Sequence, residues 1–226
     1  MHVVAAPDKF RGTASALEVA TAVERAVAEY GGTTAVLPMA DGGEGTLEAL
    51  GGPNQTSLVT GPLGGLIEAP WQLTGTTAII EMAKASGLIT IGGPEFNEVL
   101  NATSAGTGEL ILSAVEHGAT RIIVGLGGSA STDGGLGAIE AMGSPARYRG
   151  IEILVACDVN TRFVDSAKIF SPQKGATKAE VEMLERRLKR LVQIYEEKFG
   201  IDVSSLNHGG AAGGLAGGLA ALGARL

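Results

Sequence analysis

The sequence predicts an α/β fold built on parallel strands, and three observations support this prediction. Short β-branched runs at residues 2–6 and 121–124 have the length and composition of buried strands. A loop or glycine-rich turn follows each run and leads into a segment of helical character, as in βαβ units. Glycine is also abundant, at 35 of 226 residues, against a usual share of about 7%. Because these glycines separate strongly apolar segments, we interpret them as turns and close backbone approaches rather than disorder.

The first strand–helix–strand unit occupies the beginning of the chain. After the strand at residues 2–6, residues 16–30 carry apolar side chains at helical spacing. Ser15 is a candidate N-cap of this helix, and Gly31 follows as its stop. Residues 33–39 form the next predicted strand. Because a helix joins the two strands, we expect them to be parallel.

The segment from residue 51 to residue 75 differs in composition, since Pro, Gly and Thr separate short apolar runs. This pattern predicts short strands joined by tight turns, and it places a candidate domain boundary near residues 55–65. Further along the chain, residues 107–118 have the pattern of a helix and residues 151–159 that of a strand.

Two helices are predicted towards the C-terminus. In residues 178–200 the apolar side chains step by three and four, and the charged ones form what we interpret as a solvated face. Residues 208–226 are rich in Gly and Ala, which suits a close-packed helix. Each glycine there costs about 1 kcal/mol of helix stability relative to Ala. We therefore expect another backbone or a ligand to lie very near these glycines.

The overall composition excludes several classes of protein. The net charge of −7 argues against nucleic acid or an anionic membrane as partner. The single cysteine, Cys157, excludes a disulfide framework, and we interpret it as a small buried hydrophobe. No apolar run reaches the roughly 18 residues of a membrane span, and the N-terminus has no signal-peptide pattern. We expect a soluble cytoplasmic protein, with a homodimer among the possible oligomeric states.

Four acidic, glycine-flanked segments stand at the ends of predicted strands. They are APDKFRG (6–12), PMADGGEGT (38–46), GLGGSASTDGGLG (125–137) and ACDVN (156–160). Ligands of parallel α/β sheets bind beyond the carboxyl ends of the strands. A glycine-rich turn between a strand and a helix also lets backbone N–H groups approach a phosphate closely. The four segments therefore predict one ligand site, with the third segment as a phosphate loop.

The charged residues of the first two segments have both functional and structural interpretations. Lys9 and Arg11 could clamp a carboxylate or a transferring phosphoryl group, or could form surface ion pairs. Asp41 and Glu44 have a spacing that suits contact with a metal ion or acceptance of a hydroxyl proton. The same spacing also fits a capping box at a helix start.

The later two segments have the same ambiguity. Asp133 precedes a predicted helix and could be a plain N-cap. Asp158 could simply pair with Lys168 or Lys174.

The two standard nucleotide-binding motifs are absent from the sequence. There is no GxxxxGKS or GxxxxGKT P-loop, and the dinucleotide fingerprint would need glycine where Ala130 stands. Clustered carboxylates, a cation pair and a glycine-rich loop fit phosphoryl transfer better than hydride transfer, because phosphoryl transfer depends on positioning and charge stabilisation. An NAD-binding oxidoreductase is therefore the weaker hypothesis.

Eight segments together resemble the bacterial glycerate kinase family, which is separate from the glycerate kinases with P-loop-like or ribokinase-like folds. In chain order they are APDKFRGTASALEVA, PMADGGEGT, ASGL, ATSAGTGELI, GLGGSASTDGG, ACDVN, FSPQKGA and HGGAAGGLAGGL. The resemblance implies an ATP- and Mg²⁺-dependent kinase that converts D-glycerate to phosphoglycerate. It also implies two α/β domains: a Rossmann-like parallel-sheet domain, here residues 1–60 with 201–226, and an inserted α/β domain, here residues 61–200.

The resemblance also implies roles for individual residues. The expected catalytic residues are Asp41, Asp133 and Lys9, with Asp41 or Asp133 as the base, and the expected metal ligands are Asp133 and Asp158. The expected substrate- and phosphate-binding residues are Asp8, Arg11, Gly42, Gly43, Glu44, Ser104, Gly127, Gly128, Ser129, Asn160 and Lys174.

The chain also departs from the family pattern. Family members are usually longer and continue beyond a segment like residues 208–226 with the rest of the Rossmann-like domain. The family usually has Ser where Lys9 stands and Lys where Arg11 stands. An alternative hypothesis is therefore a truncated or non-catalytic homologue that binds nucleotide or a small hydroxy acid.

Overall fold

The computed structural model describes residues 1–8, 10 and 13–226, and these form an α/β protein with two sheets. The smaller sheet contains the parallel strands β1 (His2–Ala5) and β2 (Thr33–Val36). The larger sheet has the order β3 (Gln55–Thr60), β4 (Leu66–Thr74), β5 (Thr77–Glu81), β6 (Arg121–Gly125) and β7 (Glu152–Ala156). The predicted α/β fold class is confirmed.

Helix α1 (Ala16–Glu29) connects β1 to β2, as the sequence predicts. Its first turn is closed by a capping box, in which the Ser15 hydroxyl accepts the N–H of Glu18 at 3.2 Å and the Glu18 carboxylate accepts the N–H of Ser15 at 2.7 Å. Because this cap fixes the helix start, the predicted βαβ unit and its N-cap are both confirmed.

The larger sheet is mixed. Strands β3, β4 and β5 are antiparallel neighbours, whereas β5, β6 and β7 are parallel. In the parallel part Glu81 stands opposite Gly125, and Gly125 stands opposite Ala156. These three strands therefore end at one level, and the segments that follow them leave from the same edge of the sheet.

In the described part of the chain, six further short or medium helices and one long helix pack around the sheets. They are α2 (Thr46–Ala49), α3 (Ala83–Ser86), α4 (Ala105–Glu116), α5 (Leu136–Met142), α6 (Ser166–Phe170), α7 (Lys178–Phe199) and α8 (Leu215–Ala221). Helices α4 and α5 pack so closely that a side chain at Gly108 would collide with the backbone of Ala138. The core of the larger sheet includes the buried Trp71, Ile80 and Ile122.

Helix α7 has the amphipathic character that its sequence predicts. Leu184, Leu188, Leu191 and Tyr195 are buried in a second apolar cluster with Phe163, and the intervening charged residues face outwards. A capping box between Thr177 and Glu180 begins the helix. No helix in the described part of the chain is long and apolar enough to cross a membrane.

The glycine-rich C-terminal segment is helical only over α8. Before it, Ala212, Gly213 and Gly214 have positive φ angles of 51°, 70° and 91°, so the backbone turns before the helix begins. A Cβ at Gly218 would lie 2.6 Å from the carbonyl oxygen of Gly134. The predicted close approach of another backbone is therefore confirmed.

The predicted domain boundaries stay a prediction. Strand β3, whose residues were expected at the end of the first domain, is part of the larger sheet. At the other end of the chain, Arg225 pairs in parallel with Leu154 of β7, and its carbonyl accepts the N–H of Val155 at 2.8 Å.

Candidate active site

The segment after β2 lies directly on the ends of two strands of the larger sheet. A side chain at Gly42 would collide with the carbonyl group of Ala156 at the end of β7. A Cβ at Gly125, the last residue of β6, would lie 2.6 Å from the carbonyl oxygen of Gly42. Beyond it, Gly127 is packed just as tightly against Gly43. Only glycines allow these backbones to meet, so the structure brings together three of the four predicted segments.

Asp41 is half-buried beside this contact. Its Oδ1 accepts the N–H of Gly43 at 2.8 Å, as in an Asx turn. The alternative interpretation, a capping box of Asp41 with Glu44, is wrong. Helix α2 begins only at Thr46 with Gly45 as N-cap, and no side chain caps it. The exposed Glu44 carboxylate therefore does not cap the start of this helix.

The glycine-rich loop of residues 127–135 is attached to the segment that follows α3. The N–H of Leu88 donates to the carbonyl of Gly128 at 2.8 Å, and the N–H of Ala130 donates to that of Ser86 at 3.0 Å. Gly128 is exposed and has a φ of 67°, whereas Ser129 is buried. The loop therefore has one exposed corner, at Gly128, on an otherwise anchored backbone.

Asp133 and Ser104 form a buried pair inside the protein. The Asp133 carboxylate accepts four hydrogen bonds, from the N–H and hydroxyl of Ser104 at 2.9 and 2.8 Å and from the N–H groups of Gly135 and Gly137 at 3.1 and 3.2 Å. The Ser104 hydroxyl in turn accepts the N–H of Ala138 at 3.0 Å. These contacts anchor the start of α5 to the start of α4. The catalytic and metal-binding roles of Asp133 stay predictions.

Lys174 lies behind the glycine-rich loop and is 3% exposed. Its ammonium donates to the hydroxyl of Ser129 at 2.8 Å, to the carbonyl of Ser131 at 2.5 Å and to the hydroxyl of Thr132 at 3.3 Å. Burial lowers the pKa of this amine to about 7, against an opposing effect of the Asp133 charge. Lys174 therefore supports the loop from its inner side.

The segment after β7 presents Asp158 and Asn160 to solvent. In the described part of the chain, no ion pair joins Asp158 to Lys168 or Lys174. The interpretation of Asp158 as a simple ion-pair partner of these lysines is therefore not supported. Burial raises the pKa of the neighbouring Cys157 thiol, which agrees with an unreactive side chain. Among the described residues, no group of three His, Cys, Asp or Glu side chains could hold a metal ion.

Two pockets flank Glu44. One has a volume of about 520 Å³ and lies between residues 8, 10 and 13–18 and the segment after β2; among the described residues, its charged lining is Asp8, Glu18, Glu44, Glu48 and Lys84. The other has a volume of about 350 Å³ and is lined by Glu44, Ala83, Leu88, Ile89, Gly92, Gly93 and Gly128. The exposed corner of the glycine-rich loop thus borders the second pocket. Lys9 and Arg11 fall outside the described residues.

Sequence reasoning missed two charged residues of this region. Glu81 ends β5 fully buried, and Lys84 lies 3.7 Å from its carboxylate. Burial raises the pKa of Glu81, and the backbone N–H of Leu47 and the Lys84 charge oppose this rise. A lone carboxylate within the otherwise apolar run TAIIEMA is the available signal, because buried acids are rare without a partner.

The fold and the site define an α/β protein with glycine-rich segments over the carboxyl ends of parallel strands, as in many phosphate-binding proteins. The family model described as "Glycerate kinase family" matches residues 3–147 and 143–226. The chain is 39% identical over 266 aligned positions to the glycerate 2-kinase of Escherichia coli K12, covering 100% of this chain and 70% of the relative. The chain belongs to the glycerate kinase family, as the sequence resemblance predicts.

Two further relatives agree with this assignment. A glycerate kinase of Halalkalibacterium halodurans is 36% identical and matches 97% of this chain and 68% of its own length. A crystal structure assigned as glycerate kinase 2 from Salmonella typhimurium LT2 superimposes with a TM-score of 0.88 at 38% identity. It covers 100% of this chain, which spans 71% of that structure.

Proposed function

We propose that this protein transfers the γ-phosphoryl group of ATP to D-glycerate, with Mg²⁺ as the accompanying ion. The observation that carries the proposal is the packing of residues 41–43 on the ends of β6 and β7, beside the glycine-rich loop, in a chain of the glycerate kinase family. Carboxylates and closely packed glycine backbones at strand ends suit the positioning of phosphates. We also propose that the protein acts in the cytoplasm, because ATP is available there.

In the proposed reaction Asp41 accepts the proton of the reacting hydroxyl group of glycerate. The hydroxyl oxygen forms a bond to the γ-phosphorus as the bond from that phosphorus to the β,γ-bridging oxygen breaks, and ADP leaves. Asp41 suits this role because its Asx turn holds the carboxylate at the strand ends. The backbone N–H groups of Gly127 and Gly128 and the Ser129 hydroxyl would hold the transferred phosphate.

The remaining contacts of the substrates follow from the pockets and the family resemblance. Asp8 and Glu44 line the larger pocket, which we assign to the small hydroxy acid. From the family resemblance we propose that Lys9 neutralises the transferring phosphoryl group and that Arg11 binds the substrate carboxylate.

The residues after β7 fit the expected metal ion. Mg²⁺ keeps several waters and binds through one or two carboxylates together with substrate phosphates, so we propose that the exposed Asp158 and Asn160 would hold it. The bound ion would neutralise charge on the phosphates. Asp133 fits less well, because its buried carboxylate already accepts four hydrogen bonds.

We propose positioning roles for Ser104, Asp133 and Lys174. Asp133 and Ser104 fix the start of α5, where the glycine-rich loop ends. Lys174 holds the hydroxyl of Ser129 and the backbone of Ser131 from behind. All three would act on a bound phosphate through the loop, because their own polar atoms are engaged within the protein.

A second candidate function is that of a homologue that binds nucleotide or a small hydroxy acid without transferring phosphate. The chain spans about 70% of the length of the relatives that it matches. Both functions predict ligand binding, but only the kinase function predicts turnover.

The deciding experiment measures ADP release with ATP, Mg²⁺ and D-glycerate, and omits D-glycerate as control. We expect glycerate-dependent turnover that falls at least a hundredfold in Asp41→Asn, because this change removes the proposed base, a contribution of about 10²–10⁴. Asp202→Asn is the matched control: Asp202 also accepts an N–H two residues on, from Ser204 at 2.8 Å, but it is exposed and follows helix α7 rather than a strand. Binding of both ligands without turnover would instead favour the second function.

A further inference from the structure

Glu81 is a buried carboxylate that the proposed chemistry leaves without a role. Its Oε2 accepts the N–H of Gly45 at 3.2 Å and that of Leu47 at 3.0 Å. Its Oε1 has no hydrogen-bond partner within the described residues, and the Lys84 ammonium lies 3.7 Å from it. The side chain is completely shielded from solvent. A buried charge is costly unless it is paired, so this acid needs an explanation.

The two N–H groups that Glu81 binds belong to the segment that carries Asp41 and Glu44. This segment, residues 41–47, meets the larger sheet at three adjacent strand ends. At β7 and β6 the contact is backbone against backbone, through Gly42 with Ala156 and Gly125. At β5 it is the carboxylate of Glu81, which stands opposite Gly125 in the sheet register. The contact at β5, in contrast to these two, is made by a functional group of a side chain.

The other partners of this carboxylate also lie on the pocket side. Lys84, which follows Glu81 by one helical turn, lies 3.4 Å from Glu48 of α2. Lys84, Glu48 and Gly45 line the pocket of about 520 Å³. An apolar residue at the end of the run TAII would fill the same space without a charge. The polar arrangement therefore joins β5 to the wall of the pocket.

We propose that Glu81 is a positioning residue that fixes residues 45–47 on the end of β5 and thereby sets where Asp41 and Glu44 stand relative to the glycine-rich loop. The inference rests on the proposed function for its effect on turnover, and on geometry alone for its effect on the segment. The two N–H groups define the position of the segment along the strand end, because one carboxylate oxygen accepts both.

The test compares Glu81→Ala and Glu81→Gln with matched changes at Glu109. Glu109 also accepts a backbone N–H across elements, that of Thr60 at 2.6 Å, and it binds the Thr60 hydroxyl at 2.7 Å. It lines neither pocket. Hydrogen exchange of the peptide covering residues 38–50 reports the position of the segment, and kcat and KM report its consequence.

We expect Glu81→Ala to raise exchange in residues 38–50 at least tenfold and to lower kcat at least tenfold, with KM for ATP changed less than threefold. Glu81→Gln should recover part of both effects, because its amide oxygen can accept the same N–H groups. Glu109→Ala should leave both unchanged. If Glu81→Ala does not fold, Glu81→Asp replaces it, since its shorter side chain keeps the charge but cannot reach both N–H groups.

Unchanged exchange in residues 38–50 would overturn the proposal, as would raised exchange with unchanged kcat. If the parent protein shows no turnover, the proposed function fails separately. In that case exchange alone decides the present inference: a local rise in the Glu81 variants, absent in the Glu109 variants, supports it, and equal exchange in both overturns it.

Discussion

At the scale of single residues, the sequence indicates which side chains are unusual but not which partners they bind. The family resemblance implies that Asp133, Ser104 and Lys174 belong to the site. In the structure each of them is buried and hydrogen-bonded within the protein. Buried polar groups require such partners, and these partners come from segments about 30 to 45 residues away along the chain. Spacing along a sequence cannot show contacts of that range.

We expect Lys174 to make the stability of the protein depend on pH. Burial lowers its pKa to about 7 in the folded protein, whereas in the unfolded chain the pKa of this lysine is near its ordinary value of 10.5. Between these values the unfolded state binds more protons, so the free energy of unfolding rises with pH by about 1.4 kcal/mol per unit from this group alone. We expect Lys174→Met to remove this slope between pH 7.5 and 9.5, measured by urea denaturation.

The comparison with the parent protein isolates this effect, because other titrating groups such as Cys157 are present in both proteins. Lys168→Met is the matched control, since Lys168 is exposed and should leave the slope as it is. An identical pH dependence in Lys174→Met and the parent would show that the buried amine does not titrate in this range.

At the scale of elements, helix ends and strand types were predictable where local rules decide them. The Ser15 capping box follows from a serine three residues before a glutamate, ahead of an apolar periodic run. The same spacing in Asp41 and Glu44 gives no cap, because close packing of Gly42 on β7 holds that segment in another conformation. Tertiary contact therefore overrides a local signal where a loop lies on a sheet.

Gly42 is the residue on which this packing depends most directly. Its φ is 88°, which disfavours any side chain, and a Cβ there would collide with the carbonyl group of Ala156. We expect Gly42→Ala to lower kcat/KM at least tenfold and the free energy of unfolding by about 2–4 kcal/mol, since it adds a steric clash to the cost of a positive φ.

Gly52→Ala separates the two causes. Gly52 has a similar φ of 81°, but a Cβ there meets no atom within 4 Å. Its substitution should cost only about 1 kcal/mol and leave kcat/KM unchanged. Equal losses of activity in the two variants would show that backbone conformation, and not contact with β7, governs the segment after β2.

At the scale of the whole molecule, the meeting of the acidic segments was predictable and the route by which they meet was not. Parallel strands end at the same edge of a sheet, so segments that follow β6 and β7 must be neighbours. The segment after β2 comes from a different sheet, and it reaches this edge through Gly42 and Gly43. The role of Glu81 was not predictable from the sequence, because its partners, Gly45 and Leu47, contact it only through the packing of the segment after β2 on the larger sheet.

With the proposed function, this arrangement predicts that the substrates connect the two sheets. Asp41 follows the smaller sheet and the glycine-rich loop follows β6 of the larger one, so ADP with Mg²⁺ and D-glycerate should stabilise both at once. At about a hundred times the measured Kd, binding adds about 2.7 kcal/mol, which corresponds to a rise in Tm of about 5–10 °C for a chain of this size.

The Tm shift is read together with hydrogen exchange, and glycerol, which lacks the carboxylate, serves as the control ligand. We expect slower exchange in residues 38–50 and in residues 125–137 when both ligands are present, and no such change with glycerol. Protection of the glycine-rich loop alone would mean that the ligands bind to the larger sheet only. The segment after β2 would then pack on the strand ends without contributing Asp41 to the site.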